Sequence, residues 1–318
     1  MLASNKRLQI LSELSIKTDS KILLVVMDGL GGLPGPNGLT ELESAKTPNL
    51  DSLVKDGRAS LGLTDPISPG ITPGSGPAHM SLFGYDPVET WIGRGLLSAL
   101  GINFHLEKND VAARANYCTI DKTGIVTDRR AGRIATAVNI EISKCLDGIE
   151  IDGVKVFVKP EMEHRAVVVF RGEGLSEKIT DTDPQKTGLK PLDPSAHETN
   201  NATAKKTIDI IKKFLAIVKD KLSDQDKANY MLLRGFAEML KLPQMNDIYK
   251  LNTAAVAAYP MYKGLAKLVG MKVLDVPGLD VTDEIKTLKA NYKDHDFIFF
   301  HYKKTDSAGE DGNFDKKV

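Results

Sequence analysis

An α/β fold whose middle is taken over by a separate, strand-rich segment is predicted by three observations. Two short apolar runs, Lys21–Met27 and Asp296–His301, each lead straight into a polar stretch rich in glycine or acidic residues. Buried parallel strands read this way, and open α/β sheets bind ligands beyond the carboxyl ends of such strands. The alternation of strands and helices breaks after residue 102, where arginine-bearing strands take over, and it resumes near the end of a long helix. At 318 residues the chain also exceeds what one core usually fills. The expected organisation is a first core part at 1–102, an inserted α+β domain at 103–222 and a second core part at 223–318.

Composition removes several function classes. Lys plus Arg and Asp plus Glu each number 42, so no net field favours nucleic acid or an anionic membrane. Cys118 and Cys145 make neither a disulfide framework nor a CxxC site, which fits a reducing cytoplasm. No apolar run approaches the ~20 residues of a membrane span. The first 20 residues mix charged residues with Leu and Ile, have no secretory apolar region and predict a short amphipathic helix.

Taken in order, the Lys21–Met27 strand sets Asp28 at its carboxyl end, followed by GLGGLPGPNG. That loop does not match GxGxxG, and prolines interrupt the helix a dinucleotide fold needs, which excludes a Rossmann reading. Thr47-Pro48 starts a helix, with Thr47 as N-cap and Pro48 at the first helical position. Residues 70–87, GITPGSGPAHMSLFGYDP, are the most informative stretch. Ser75 stands between two glycines in a run broken by Pro69, Pro73 and Pro77, so it belongs at or near a helix N-terminus. There its hydroxyl is exposed and free N–H groups favour an anion, phosphate above all. The structural alternative is a plain N-cap. His79, four residues on, either faces Ser75 or packs in the helix.

Arginines dominate the middle: Arg114, then Asp128-Arg129-Arg130-Ala-Gly-Arg133, then His164-Arg165 leading to Arg171. A guanidinium pairs bidentately with phosphate or carboxylate, so this cluster predicts a clamp for a small anion, against the alternative of surface ion pairs. Residues 180–200 are loop-like, and 202–221 form an amphipathic helix. The α/β rhythm resumes at Tyr230–Phe236 with Arg234 and continues through Ala254–Pro260. A helix opens at Tyr262-Lys263-Gly264, and the last strand is Asp296–His301. Beyond it, Asp306 and Glu310 are four apart, which puts two oxygen ligands on one side of a helical turn.

Together VVMDGLGG, TPNLD, TPGSGPAHMSLFGYDP, GRG, RANYCTID, DRRAGRI, HRAVVVFRG, DTDP, LLRG, MYKGLAKLVGM, VPG and FHYKKTDSAGEDG form an ordered set. The chain resembles the archaeal-type, 2,3-bisphosphoglycerate-independent phosphoglycerate mutases of the alkaline phosphatase superfamily, from about residue 21 to its end. The resemblance implies an alkaline-phosphatase-like sheet with helices on both faces and an inserted substrate domain. It implies an isomerase of glycolysis and gluconeogenesis that interconverts 2- and 3-phosphoglycerate through a phosphoserine. It further implies two divalent metals, Mn²⁺ or Mg²⁺ ahead of Zn²⁺ or Co²⁺, with no 2,3-bisphosphoglycerate. By motif, Ser75 is the nucleophile and a metal ligand. Asp28, Asp306 and Glu310 are metal ligands, and Lys263 stabilises the phosphoryl group. Arg114, Asp128, Arg129, Arg130, Arg133, Arg171 and Arg234 contact the substrate. The expected partner is phosphoglycerate alone, with no nucleic acid or membrane and with room for a homo-oligomer.

Two departures from the family pattern bear on the metals. Glu310 stands where the superfamily commonly has His, and a hard oxygen ligand favours Mg²⁺ or Mn²⁺ over zinc. The family pattern continues beyond Val318 to an Asp-His pair and a further His, so the second core part is expected to be incomplete here. A phosphatase of the same superfamily and a non-catalytic phosphometabolite binder are the rival readings.

Overall fold

The computed structural model describes residues 2–65, 67–71 and 74–318, with 2–5 in backbone only; Thr72 and Pro73 of the serine stretch lie outside it. Its helices are α1 (Leu2–Leu14), α2 (Glu41–Ser44), α3 (Pro48–Lys55), α4 (Ser75–Leu82), α5 (Arg94–Gly101), α6 (Thr136–Leu146), α7 (Ala202–Lys221), α8 (Met245–Tyr249), α9 (Pro260–Leu268), α10 (Val281–Asn291), α11 (Lys304–Glu310) and α12 (Phe314–Lys317). The strands are β1 (Ile22–Met27), β2 (Asp110–Ile120), β3 (Val126–Asp128), β4 (Ile149–Ile151), β5 (Val154–Met162), β6 (Arg165–Arg171), β7 (Tyr230–Ala237), β8 (Thr253–Ala257), β9 (Lys272–Val273) and β10 (Phe297–Tyr302). Among the described residues no helix is long and apolar enough to cross a membrane.

Two compact units result. The first comprises Met1–Thr90, Pro243–Tyr262 and Val269–Val318. Its described strands make a parallel sheet in the order β1-β10-β8-β9, with Ile22 opposite Phe297 and Ile298 opposite Ala254. Strand alternation divides β10 between two layers. Ile298 and Phe300 pack with Val281 and Leu288 of α10, whereas Phe299 meets Phe83 and His79 beside α4. Helices therefore cover both faces of this sheet.

Three sequence expectations are corrected here. Strand β1 is parallel as expected but not buried. It is an edge strand, and Ile22, Leu23 and Val25 stay exposed because the described sheet continues on one side only. Helix α1 forms, but Leu8 turns inward while Ile10 and Leu14 remain exposed, so it has no broad apolar face. Thr47 occupies the N-cap position of α3 without capping it; its hydroxyl donates to Asp51 Oδ1 at 3.0 Å instead.

The second unit comprises Trp91–Leu242 and Lys263–Leu268. It therefore starts before α5 and ends after β7, outside the 103–222 limits read from the sequence. The physical reason is pairing. Strand β7, which looks like a resumption of the α/β rhythm, lies antiparallel to β2, and Arg234 sits opposite Arg114. The sheet runs β3-β2-β6-β5-β4, with β7 against the other flank of β2. One face is buried under α6 and α7 through Ile142, Leu146, Ile210, Phe214 and Val218. On the opposite face Ala99 of α5 meets Ala112, Val167 and Val169.

Candidate active site

In the first unit the site is built where β1, β10 and the start of α4 end. Ser75 is the first residue of α4, and Gly74 in extended backbone is the N-cap, so the plain N-cap reading of Ser75 does not hold. Its hydroxyl sits where unpaired N–H groups and the helix dipole favour an anion. His79 resolves as a packed histidine. Its Nδ1 pairs with the backbone carbonyl of Ser75 at 2.8 Å rather than with the hydroxyl, and its ring lies against Phe299 and His301.

Asp28 continues β1, donating its N–H to the Tyr302 carbonyl at 2.9 Å. Gly29 follows at φ +63°, and a Cβ there would stand 2.7 Å from Asp306 Cα and Oδ1. The Asp-Gly step is thus what lets the two carboxylate-bearing segments touch. Lys303 Nζ donates to Asp28 Oδ2 at 2.9 Å and also to Asp306 Oδ2, so one ammonium bridges both carboxylates. Tyr262 Oη donates to the same Asp28 oxygen at 2.5 Å. Burial alone would raise the Asp28 carboxyl, but Lys303, Tyr262 and His301 together hold it below the ordinary carboxylate range. Burial, with help from Asp28, pushes the Tyr262 phenol well above its usual value, so it remains a donor.

The donor chemistry of this pocket suits a cation. Asp28 and Asp306 already share one, the Lys303 ammonium. Beside them His79 Nε2 and both ring nitrogens of His301 are buried without hydrogen-bond partners. Burial pulls His79 down and, with His79, pulls His301 to about 3, so both rings are neutral and keep a lone pair. His301 Nε2 lies 3.8 Å from Asp28 Oδ2. Among the described residues no three His, Cys, Asp or Glu side chains yet stand together as a metal group. Glu310 is exposed at the far end of α11.

The second unit gathers most of the predicted arginines. Asp128 accepts from the N–H groups of Arg130 at 2.7 Å and Gly132 at 2.6 Å. It thereby fixes a turn in which Ala131, Gly132 and Arg133 have φ of 48°, 62° and 51°. Three successive left-handed residues, two with side chains, are uncommon and costly, as functional turns often are. Around this turn lies His164, which is buried. Burial and then Arg165, Arg114, Arg130 and Arg133 hold it down to about 2. Arg234 is pushed down to about 9 by burial and then by Arg114 and Arg94. Such crowding of guanidiniums is unfavourable by itself, and a bound anion would relieve it.

Not every predicted arginine belongs to the crowd. Arg129 is bidentate to Asp183, at 2.9 and 2.6 Å, and also reaches Gln185 at 2.9 Å. Arg171 sits at the other end of β6, paired with Asp110 at 2.9 and 2.6 Å and with Glu107 at 2.5 Å, over the Phe157 ring. Lys263 lies with the second unit beside Lys267, which burial and Lys263 lower. Gly235, at φ +63°, would place a Cβ 2.6 Å from the Arg94 nitrogen, which explains why LLRG ends in glycine.

Sequence reasoning gave no role to Tyr262, His301, Lys303, Arg94 or His164. One signal was available for two of them: His301 is a polar residue inside an otherwise apolar strand, and Lys303 follows that strand's end.

Residues 57–227 match the family model for 2,3-bisphosphoglycerate-independent phosphoglycerate mutase. A probable mutase of that name from Aquifex aeolicus is 50% identical over 320 residues, covering 98% of this chain and 77% of the relative. One from Thermus thermophilus is 49% identical over 314 residues, covering 97% and 76%. A cofactor-independent phosphoglycerate mutase structure from Thermoplasma acidophilum superposes with TM-score 0.57 at 32% identity, covering 89% of this chain and 77% of that one. A Pyrococcus horikoshii structure gives TM-score 0.72 at 30% identity, covering 94% and 74%. The chain belongs to the family of 2,3-bisphosphoglycerate-independent phosphoglycerate mutases.

Proposed function

We propose that this isomerase interconverts 2-phosphoglycerate and 3-phosphoglycerate by moving the phosphoryl group through Ser75, without 2,3-bisphosphoglycerate. The observation that carries the reading is the placement of Ser75 at the first turn of α4, in the same unit in which Lys303 draws the Asp28 and Asp306 carboxylates together. In the forward half, Ser75 Oγ forms a bond to phosphorus as the ester oxygen of the substrate leaves with its electron pair. In the return half, the other glycerate hydroxyl bonds to phosphorus and Oγ leaves. The helix N-terminus stabilises the charged group in between.

A serine hydroxyl hardly ionises near neutral pH and needs help. Asp28, Ser75 and Asp306 are the residues of this chain that would hold a divalent cation, with Glu310 as the further carboxylate implied by the motif. Such an ion lowers the pKa of a bound hydroxyl and neutralises phosphate oxygens. In this reading the first unit is the phosphatase-like core and the second is the substrate domain. Arg114, Arg130, Arg133 and Arg234 meet the substrate anion, whereas Arg129 and Asp128 hold the frame around them.

Incubation with 3-phosphoglycerate followed by acid quench and peptide mass spectrometry tests this. The expected result is a phosphate on the Ser75 peptide, together with loss of interconversion in Ser75→Ala at unchanged thermal melting. Interconversion in Ser75→Ala within tenfold of the parent excludes the phosphoserine route. Release of inorganic phosphate without the second isomer makes the chain a phosphatase.

A further inference from the structure

We infer that Asn116 is a specificity-determining residue for phosphoglycerate, its side-chain carbonyl accepting a hydrogen bond from the free hydroxyl of the substrate. The inference rests on the reading in which Arg114 and Arg234 meet the substrate anion.

Register sets the face on which these residues lie. Directly paired residues of antiparallel strands project to one side of a sheet, and so do residues two apart along a strand. Arg114 and Asn116 are two apart on β2. Arg234 of β7 is opposite Arg114, and Arg165 of β6 is opposite Asn116. The same side carries Ala112, Val167 and Val169 beneath Ala99 of α5. Three arginines and one asparagine therefore continue the apolar patch that α5 covers. Arg114 and Asn116 are only 4% and 5% exposed, whereas the Arg165 and Arg234 side chains keep more of their surface in solvent. The amide lies deep, with arginines beside it.

Two buried atoms on this face lack counterparts among the described residues: Arg234 Nε has no acceptor, and Asn116 Oδ1 has no donor. Polar atoms buried without partners are costly to keep. A ligand that relieves both must accept at one end and donate at the other. Guanidiniums only donate, so they suit phosphate and carboxylate oxygens. Fully ionised phosphoglycerate of either isomer keeps a single donor, its free hydroxyl, and that is the group Oδ1 can take. Other acceptors nearby are engaged. Glu161, 3.9 Å from Arg114 Nε, is enclosed and accepts from Ser98 Oγ at 3.4 Å. Asp183 takes the bidentate bond of Arg129. His164 Nδ1 is also unpartnered, but it lies 3.9 Å from the Glu163 carboxylate, which favours a proton on that nitrogen over a lone pair. An amide does not take up the proton, so Asn116 orients the hydroxyl and is not its base.

Calorimetric titration with two acids of equal charge tests this. One is 3-phosphoglycerate, and the other is the phosphate ester of 3-hydroxypropionate, the same acid without the free hydroxyl. Either phosphoglycerate isomer bears a hydroxyl, so interconversion during the titration does not blur the comparison. The parent should bind the hydroxyl-bearing acid about tenfold more tightly. Asn116→Leu, close in size but without an acceptor, should bind the two within about twofold of each other. Asn116→Asp keeps an acceptor oxygen and should keep the preference, while binding both acids more weakly because a new negative charge faces them. A residue that only shapes the fold would weaken both acids alike and leave their ratio unmoved. An unchanged ratio in Asn116→Leu overturns the inference, and so does a lost preference in Asn116→Asp. Equal binding of the two acids by the parent overturns it as well, with no variant needing to fold. If the parent binds neither acid, the reading of the arginines as substrate contacts falls and this inference falls with it.

Discussion

Arg114 and Arg234 stand opposite each other across β2 and β7, two guanidiniums at one register position and both largely out of solvent. Arg114 meets Glu161 and Arg234 meets Asp183, each at 3.9 Å. Two like charges this close raise the free energy of the folded state. Burial, then Arg114 and Arg94, push Arg234 down to about 9, so its charge works against the folded state at every pH below about 9. That cost fades as pH rises through this value. Arg234→Met should therefore melt no lower than the parent in buffer without ligand. Adding 3-phosphoglycerate should raise the parent's melting temperature and leave the variant's nearly unmoved. Equal stabilisation of both by differential scanning fluorimetry would remove Arg234 from the anion site.

Arg129 should behave in the opposite way. It is bidentate to Asp183, whose carboxylate has no exposure of its own. Arg129→Ala leaves that buried charge short of its main partner, which costs about 3 kcal/mol or more of stability. Urea unfolding of Arg129→Ala and Arg133→Ala side by side checks this, with the large loss expected only in the first. A stable Arg129→Ala with weakened substrate binding would move Arg129 back among the ligand contacts.

Chelation should abolish turnover, and Mn²⁺ or Mg²⁺ should restore it, because Asp28 and Asp306 offer the hard oxygens those ions take. Thermal melting should change little, since the Lys303 ammonium already pairs with both carboxylates without a metal. Full turnover in chelator, with no metal found by elemental analysis, would end the metal-assisted reading.

His164 gives an acid signature. Its folded pKa is about 2 against 6.5 when free, so the unfolded chain takes up a proton that the folded chain refuses. This contribution leaves stability intact above pH 6.5 and erodes it as pH falls toward 2. One proton corresponds to about 1.4 kcal/mol per pH unit. His164→Gln should show a shallower loss of stability than the parent between pH 6 and about 4. Parallel acid limbs for the two proteins would mean that His164 is protonated in the fold.

The sequence disclosed what is local and concealed what is paired at a distance. Ser75 was legible because glycines and prolines around it dictate a helix start, and Asp28 because it ends an apolar run. Strand β7 was legible as a strand but not as a neighbour of β2, since an apolar run carries no label for its partner. Arg171 and Arg234 look alike in sequence. Only pairing separates them, because Arg171 meets Asp110 and Glu107 closely whereas Arg234 reaches Asp183 at 3.9 Å and is crowded by Arg114 and Arg94. Tyr262 escaped notice because its position depends on a stack with His301, which arrives on a separate strand. The adjacent Lys263 drew attention only through its motif.

The pairing of Ile22 with Phe297 also sets a timetable for synthesis. Strand β1 leaves the ribosome about 270 residues before β10, its described partner. Nearly all of the second unit, Trp91–Leu242, emerges in between and can close on its own sheet meanwhile. Through that interval ILLVVM is an unpaired apolar β-former, the kind of segment that aggregates or is captured by chaperones. Charged substitutions at Leu23 or Val25, which are exposed among the described residues, would make the nascent segment less prone to such capture.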